Sequence, residues 1–361
     1  MTHVLMTADT VGGVWTYALE MAEALAPHGV TLSLATMGRS MTRAQRHEVE
    51  RSPVVEVHEA PFALEWMAEP WHDVDRAGDW LLRLEDLGHP DVVHLNGYCH
   101  AHLPWQAPTL VAAHSCVLSW WWAVHGVEAP PQFDEYRRRV TVGLAAAGAV
   151  VAPSLDMLTA LRRWYGNDRG SVVPNCRRAG WVNERSEERL VLAAGRVWDE
   201  AKNLAVVDRV ASRIGWPVVI AGSAQRPDGG RGPEPGGARW LGELSFHDLA
   251  GWLHRAPLFV LPARYEPFGL GALEAGLAGC TLVLGDIGSL REVWRDAAIY
   301  VDPEDEDQLA HTLDALAGDC GRRAELGHRA RLRAAAYTPM RTALGYLDAY
   351  RSLAVVAGDR R

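Results

Sequence analysis

The sequence predicts an α/β fold of two domains, each a parallel sheet covered by helices. Strand-like apolar runs alternate with amphipathic stretches along most of the chain, the pattern of strands joined by helical crossovers. The alternation breaks once, in a polar stretch reaching about Glu188, and a fresh series starts at Leu190. A length of 361 residues suits two domains with ample core. The expected boundaries are 1–175 for the first domain and 186–337 for the second. A last helical stretch, 338–361, is expected to pack back on the first domain.

In order, His3–Ala8 reads as the opening strand, followed by a Gly loop and an amphipathic helix from about Val14 to Pro27. Further strands are expected at Val30–Ala35, Val92–Leu95, Leu110–Ala113 and Ala149–Ala152, and Arg169–Asn175 closes the domain. In the second half a strand ends at Ala194, Gly195 opens a loop, and a helix begins near Asn203. Leu258–Pro262 is strand-like, and late helices fill about Glu306–Ala317, Cys320–Ala336 and Pro339–Leu353. The Gly/Pro run Arg226–Gly237 reads as one exposed loop.

Hydrophobic content of 48% and charged content of 22% are those of a soluble globular protein. No apolar run approaches the roughly 20 residues of a membrane span, and no signal-peptide pattern is visible. Five scattered cysteines without a C-x-x-C argue against a disulfide framework or zinc ribbon and for a cytoplasmic location. The net charge of −9 is uneven: −8 over residues 1–170 and −1 over 171–361. An acidic first half disfavours nucleic acid and anionic membranes, leaving a neutral or cationic partner on that side.

The most informative stretch runs from Arg264 to Gly276. Glu266 sits in a Pro/Gly turn and Glu274 lies eight positions on, inside the apolar helix that the turn opens. The unit reads strand, loop, helix N-terminus, where unpaired N–H groups suit phosphate or sugar oxygens. Two carboxylates flanking an anion site suit a ligand with a hydroxyl-rich group at each end, as in a nucleotide diphosphate sugar. A second strand-to-helix loop carries Arg196 and Lys202. Lys202 is the one lysine among 36 basic residues, and a compact ammonium is not equivalent to a guanidinium. In the first half, Gly12-Gly13 follows the first strand and precedes a helix, so its backbone can approach a pyrophosphate closely. It is neither G-x-G-x-x-G nor a P-loop.

Together these residues resemble the retaining nucleotide-sugar glycosyltransferases of the GT-B type, family 4, which have two Rossmann-like domains facing each other across a cleft. The resemblance runs nearly end to end. It takes in Gly12-Gly13, Ala112–Ser115, Val173-Pro174-Asn175, Gly195-Arg196 with Lys202-Asn203, Glu266–Leu270 with Glu274, Ser289–Val293 and Val301-Asp302-Pro303. It implies transfer of a hexose from a nucleotide diphosphate sugar, UDP favoured and GDP next, to a hydroxyl of an acceptor. No metal or other cofactor is implied.

Residue by residue, the resemblance assigns Arg196 and Lys202 to the leaving diphosphate and Glu266 to sugar hydroxyls near the reacting face. The N–H groups of Phe268, Gly269 and Leu270 would hold sugar and phosphate oxygens, and Glu274 the ribose. Gly12 and Gly13 would contact the diphosphate, and His114 the sugar 6-hydroxyl or the reaction centre. Trp15, His94, Tyr98 and Trp120 are the acceptor-side candidates, the acceptor being a small molecule or glycan, soluble rather than membrane-bound. Asp9-Thr10-Val11 stands where the glycogen-synthase branch has a lysine, and Asn175-Cys176 where Asn-Gly is usual.

Asp73-Val74-Asp75 is formally D-x-D, but its helix-like acidic surroundings read as a solvated face. His94, Cys99, His100 and His102 match no familiar zinc spacing. Two alternatives stand beside the transferase: an epimerase or hydrolase acting on nucleotide sugars, and a non-catalytic nucleotide-sugar-binding protein. Intact Arg196, Lys202, Glu266, Glu274 and His114 argue against the last.

Overall fold

The structure, a computed structural model, describes residues 2–178, 188–226, 229–230, 232 and 234–358, with side chains of the last helix to Leu353. Most of the expected linker before Glu188, and part of Arg226–Gly237, lie outside the described residues. The chain divides into two compact units. The first holds Met1–Trp122, Val127–Cys176 and Pro339–Arg361; the second holds Arg177–Thr338 together with Ala123–Gly126.

The strands of the first unit are β1 (Thr2–Asp9), β2 (Val30–Met37), β3 (Val54–Glu59), β4 (Val92–Leu95), β5 (Thr109–Ala112), β6 (Ala149–Ala152) and β7 (Ser171–Val172). Their order is β3-β2-β1-β4-β5-β6-β7, and every pairing is parallel. Helices α1 (Gly13–Leu25), α2 (Arg43–Glu50), α3 (Trp71–Gly88), α4 (Val117–His125), α5 (Asp134–Ala146) and α6 (Leu155–Tyr165) connect them. Strand β3 answers to no predicted element. It is a part-exposed edge strand carrying Glu56, His58 and Glu59, so it lacks the apolar run that marks a buried parallel strand.

The second unit contains β8 (Val191–Ala194), β9 (Val218–Ala221), β10 (Arg239–Gly242), β11 (Leu258–Leu261), β12 (Thr281–Gly285) and β13 (Ile299–Val301). Its sheet is again parallel, in the order β10-β9-β8-β11-β12-β13. Its helices are α7 (Leu204–Val210), α8 (Phe246–Arg255), α9 (Leu270–Ala278), α10 (Gly288–Trp294), α11 (Glu306–Gly318) and α12 (Cys320–Ala334). The acidic cluster before α11 serves as a helix start: Asp305 caps it by accepting from the Gln308 N–H at 2.8 Å.

The last helix, α13 (Pro339–Gly358), belongs to the first unit, where Tyr346, Tyr350 and Leu353 join a core built from α1, β1 and β2. Both units are therefore doubly wound Rossmann-like layers. Strand order reverses between β1 and β4 in one and between β8 and β11 in the other. In such sheets the crevice outside the carboxyl ends at the reversal is where ligands bind.

Candidate active site

In the second unit the loops leaving β8 and β11 flank the reversal. Backbone packing presses each against its outer neighbour, the end of β9 for the first and the end of β12 for the second. Gly222 has φ 144°, and a Cβ there would lie 1.7 Å from the Gly195 carbonyl oxygen. A Cβ on Gly285 would lie 2.2 Å from the Ala263 carbonyl oxygen. Only glycine permits both approaches. Asn203, at φ 57°, ties the loops by donating its side-chain amide to the carbonyls of Pro262 (3.0 Å) and Pro303 (2.8 Å). The Arg264 N–H adds a bond to the Ala201 carbonyl at 2.8 Å.

This lacing brings Lys202 onto Glu266. Nζ pairs with Oε2, and the two side chains are 15% and 14% exposed. The other carboxylate oxygen, Oε1, accepts from the Gly269 N–H at 3.0 Å, and the Ser289 hydroxyl donates to the Glu266 carbonyl at 2.6 Å. The Gly269 N–H, expected to face a ligand, is thus engaged by Glu266. Leu270 begins α9 and stays part-exposed, whereas the Phe268 ring is buried edge-on to Tyr337 with centroids 5.4 Å apart.

Arg196 is 39% exposed and donates from Nε and Nη2 to the Asp199 carboxylate at 3.2 and 2.6 Å. Buried Asp199 also accepts from the Ala201 N–H at 3.1 Å, so one carboxylate shapes the loop and aims the guanidinium. Glu274 lies one turn into α9, 5% exposed, and pairs with the buried Arg177, whose guanidinium lies 5.2 Å from the centre of the Phe246 ring. Sequence reasoning missed Asp199, Asn203 as a tie, and Arg177. Arg177 stands 97 positions from its partner, a pairing that no local pattern encodes.

In the first unit, exposed Gly12, at φ 101°, caps α1, and exposed Gly13 is its first residue. His114 follows β5. Its Nε2 lies 2.8 Å from the Asn96 side-chain oxygen, and its ring stands edge-on to Tyr17 at 4.4 Å. Burial lowers its pKa to about 4.

Three acceptor-side expectations need correction. His94 has no exposed surface: its ring nitrogens meet the hydroxyls of Tyr17 (3.2 Å) and Tyr350 (2.7 Å), and burial lowers its pKa to about 3. Tyr98 is buried, with its hydroxyl given to the Ser115 carbonyl at 2.8 Å. Trp15 is buried, with its indole N–H given to Glu48 at 2.7 Å. All three are satisfied core residues. Trp120 stays part-exposed, its ring 6.3 Å from that of Trp121.

The D-x-D carboxylates have structural partners: Asp73 accepts from the Ala63 N–H at 3.1 Å, and Asp75 pairs with Arg139 at 2.5 Å. Among the described residues no three His, Cys, Asp or Glu side chains gather as a metal site, and no helix is long and apolar enough to cross a membrane.

Comparison with known proteins agrees with this fold. Residues 11–177 match the model of Glycosyltransferase Family 4, and residues 188–319 match that of Glycosyl transferases group 1. A D-inositol 3-phosphate glycosyltransferase of Xylanimonas cellulosilytica is 28% identical over 94% of this chain and 91% of its own. A glycogen synthase of Mycobacterium tuberculosis is 29% identical over 78% of this chain and 76% of its own. The O-antigen chain mannosyltransferase B of Escherichia coli is 36% identical over 31% of each chain. Among solved structures, sucrose-phosphate synthase of Thermosynechococcus elongatus superposes with a TM-score of 0.79 at 18% identity, over 99% of this chain and 100% of that one. HepE of Anabaena, solved with UDP-glucose, gives 0.75 at 14% identity, over 98% and 100%.

Proposed function

This chain belongs to the GT-B glycosyltransferases of family 4 and group 1, and on that premise we propose retaining transfer of a hexose from a nucleotide diphosphate sugar to an acceptor hydroxyl. The observation that carries this reading is the Lys202–Glu266 pair at the strand-order reversal of the second sheet, with Arg196 on the same loop as Lys202. Lys202 and Arg196 take the leaving diphosphate, where negative charge grows as the sugar–phosphate bond breaks. Fixed cations there stabilise the transition state more than the ground state.

Glu266 exchanges its ammonium partner for sugar hydroxyls as the phosphate draws Lys202 away. Glu274 turns from Arg177 to the ribose. The acceptor oxygen attacks the anomeric carbon on the face from which the phosphate departs. The phosphate oxygen takes the acceptor proton, so configuration is retained and no metal is needed. UDP is the favoured nucleotide, supported by HepE having been solved with UDP-glucose. The acidic first half favours a neutral or amine-bearing soluble acceptor.

The test is nucleotide release from UDP-glucose and from GDP-mannose, each with and without a panel of sugar and polyol acceptors. Release that depends on an acceptor, with product of unchanged anomeric configuration, is expected. Release indifferent to acceptor would establish a hydrolase instead.

A further inference from the structure

Three adjacent strand ends of the first unit carry a hydrogen-bond chain whose polarity is fixed from its far end. Thr7 lies in β1, Asn96 directly follows β4, and His114 follows β5. Regular pairing of β1 with β4 runs out at Met6 opposite His94. Asn96 continues it, donating its backbone N–H to the Thr7 hydroxyl at 2.8 Å and its side-chain amide to the Thr7 carbonyl at 2.6 Å. A carbonyl oxygen only accepts, so the amide end facing Thr7 must be the NH2. The oxygen end then faces His114 Nε2, at 2.8 Å, and can only accept. Nε2 must carry the hydrogen, and in a neutral imidazole that leaves the lone pair on Nδ1.

Around the ring stand the Asn96 amide, the Tyr17 ring and, beyond Tyr17, His94. Burial lowers both histidines below their ordinary pKa and raises Tyr17, so these groups are neutral near pH 7. A neutral Nδ1 accepts from a hydroxyl and repels a carboxylate.

We propose that Asn96 is a positioning residue that holds His114 in its Nε2–H form, so that Nδ1 accepts a hydroxyl of the donor sugar and the site prefers a neutral hexose to a hexuronic acid. The sugar preference rests on the functional reading that puts His114 beside the substrate; the tautomer rests on the hydrogen bonds alone.

Nitrogen-15 NMR of the full chain without ligand tests the tautomer, with the His114 signals identified by their loss in His114→Gln. Protonated Nε2 and bare Nδ1 at pH 7 are expected, and the reverse would overturn the proposal. Asn96→Asp puts a carboxylate against Nε2 and should raise the His114 titration midpoint by at least about one pH unit. Asn96→Leu, which removes the acceptor, should let the Nδ1–H form appear and cut turnover about tenfold. An asparagine that only stabilised the fold would move neither NMR readout. UDP-glucose should bind at least about fivefold more tightly than UDP-glucuronate, and equal affinity would overturn the sugar preference. Undiminished turnover in His114→Ala would remove His114 from the substrate and sink the sugar preference. The tautomer measurement would still decide the role of Asn96.

Discussion

At the reversal of its strand order the first unit carries neutral groups, an amide, an imidazole and phenols, whereas the second carries compensated charges. The contrast follows from burial and from what each set must meet. In the first unit Tyr17, His94, His114, Tyr346 and Tyr350 share rings and hydroxyls, and burial holds them all away from ionisation. Such groups discriminate hydroxyls by direction, and they keep their bonds without a counter-ion. In the second unit Lys202, Glu266, Arg177, Glu274, Arg196 and Asp199 form three ion pairs, two of them largely buried. A buried pair is costly to form, and removing one member strands the other. A diphosphate, being anionic, can take over the cations and release the carboxylates to polyol groups.

The largest effect should come from the charged side. Lys202→Ala is expected to cut turnover about 10²–10³-fold, roughly 3–4 kcal/mol of transition-state stabilisation, with native circular dichroism retained. Unchanged steady-state kinetics would remove the lysine from the site and erase the contrast. Glu274→Ala comes next. It should weaken donor binding about tenfold and, by leaving Arg177 without its carboxylate, lower stability by about 3 kcal/mol. Calorimetric donor affinity equal to wild type would overturn the ribose assignment.

The neutral side should show itself in acid. His94 and His114 titrate in the folded state at about 3 and about 4, below the unfolded value of 6.5. Above pH 6.5 both states are neutral and nothing is lost. As pH falls from 6.5 towards 4 the unfolded chain takes up protons that the folded chain refuses, so stability declines by about 1.4 kcal/mol per pH unit for each histidine. Denaturant titrations across that range measure the slope. A flat profile would mean that these rings are not held neutral. The smallest effect is expected from Arg196→Lys, a few-fold loss in turnover. The side chain is part-exposed and keeps its charge, losing the forked contact with Asp199 and the planar stacking on Trp198.

What was legible in the sequence divides along the same line. Buried parallel strands announce themselves as apolar runs, and β4 and β6 fall at their expected bounds. The edge strand β3 does not, because an edge need not be apolar. Around the charged groups, Glu266, Lys202 and Arg196 are readable because each stands in a loop between a strand and a helix. Their partners are less so: Asp199 looks like any loop acid, and the Arg177–Glu274 pair spans 97 positions. The neutral network hides best. His94 and Tyr98 carry the polar atoms of surface ligands, yet both are core residues whose hydrogen bonds reach Tyr350 and Ser115. Nothing in composition or spacing separates a satisfied buried histidine from one that lines a cleft.

The most direct test of the central claim, that the charged loops of the second unit hold a nucleotide diphosphate, is calorimetric titration of UDP into the wild-type chain and into Lys202→Ala. Saturable binding in the wild type, weakened about tenfold or more in the variant, is the predicted result. No heat of binding at millimolar UDP, GDP, ADP or TDP, or equal affinity in both chains, would contradict it.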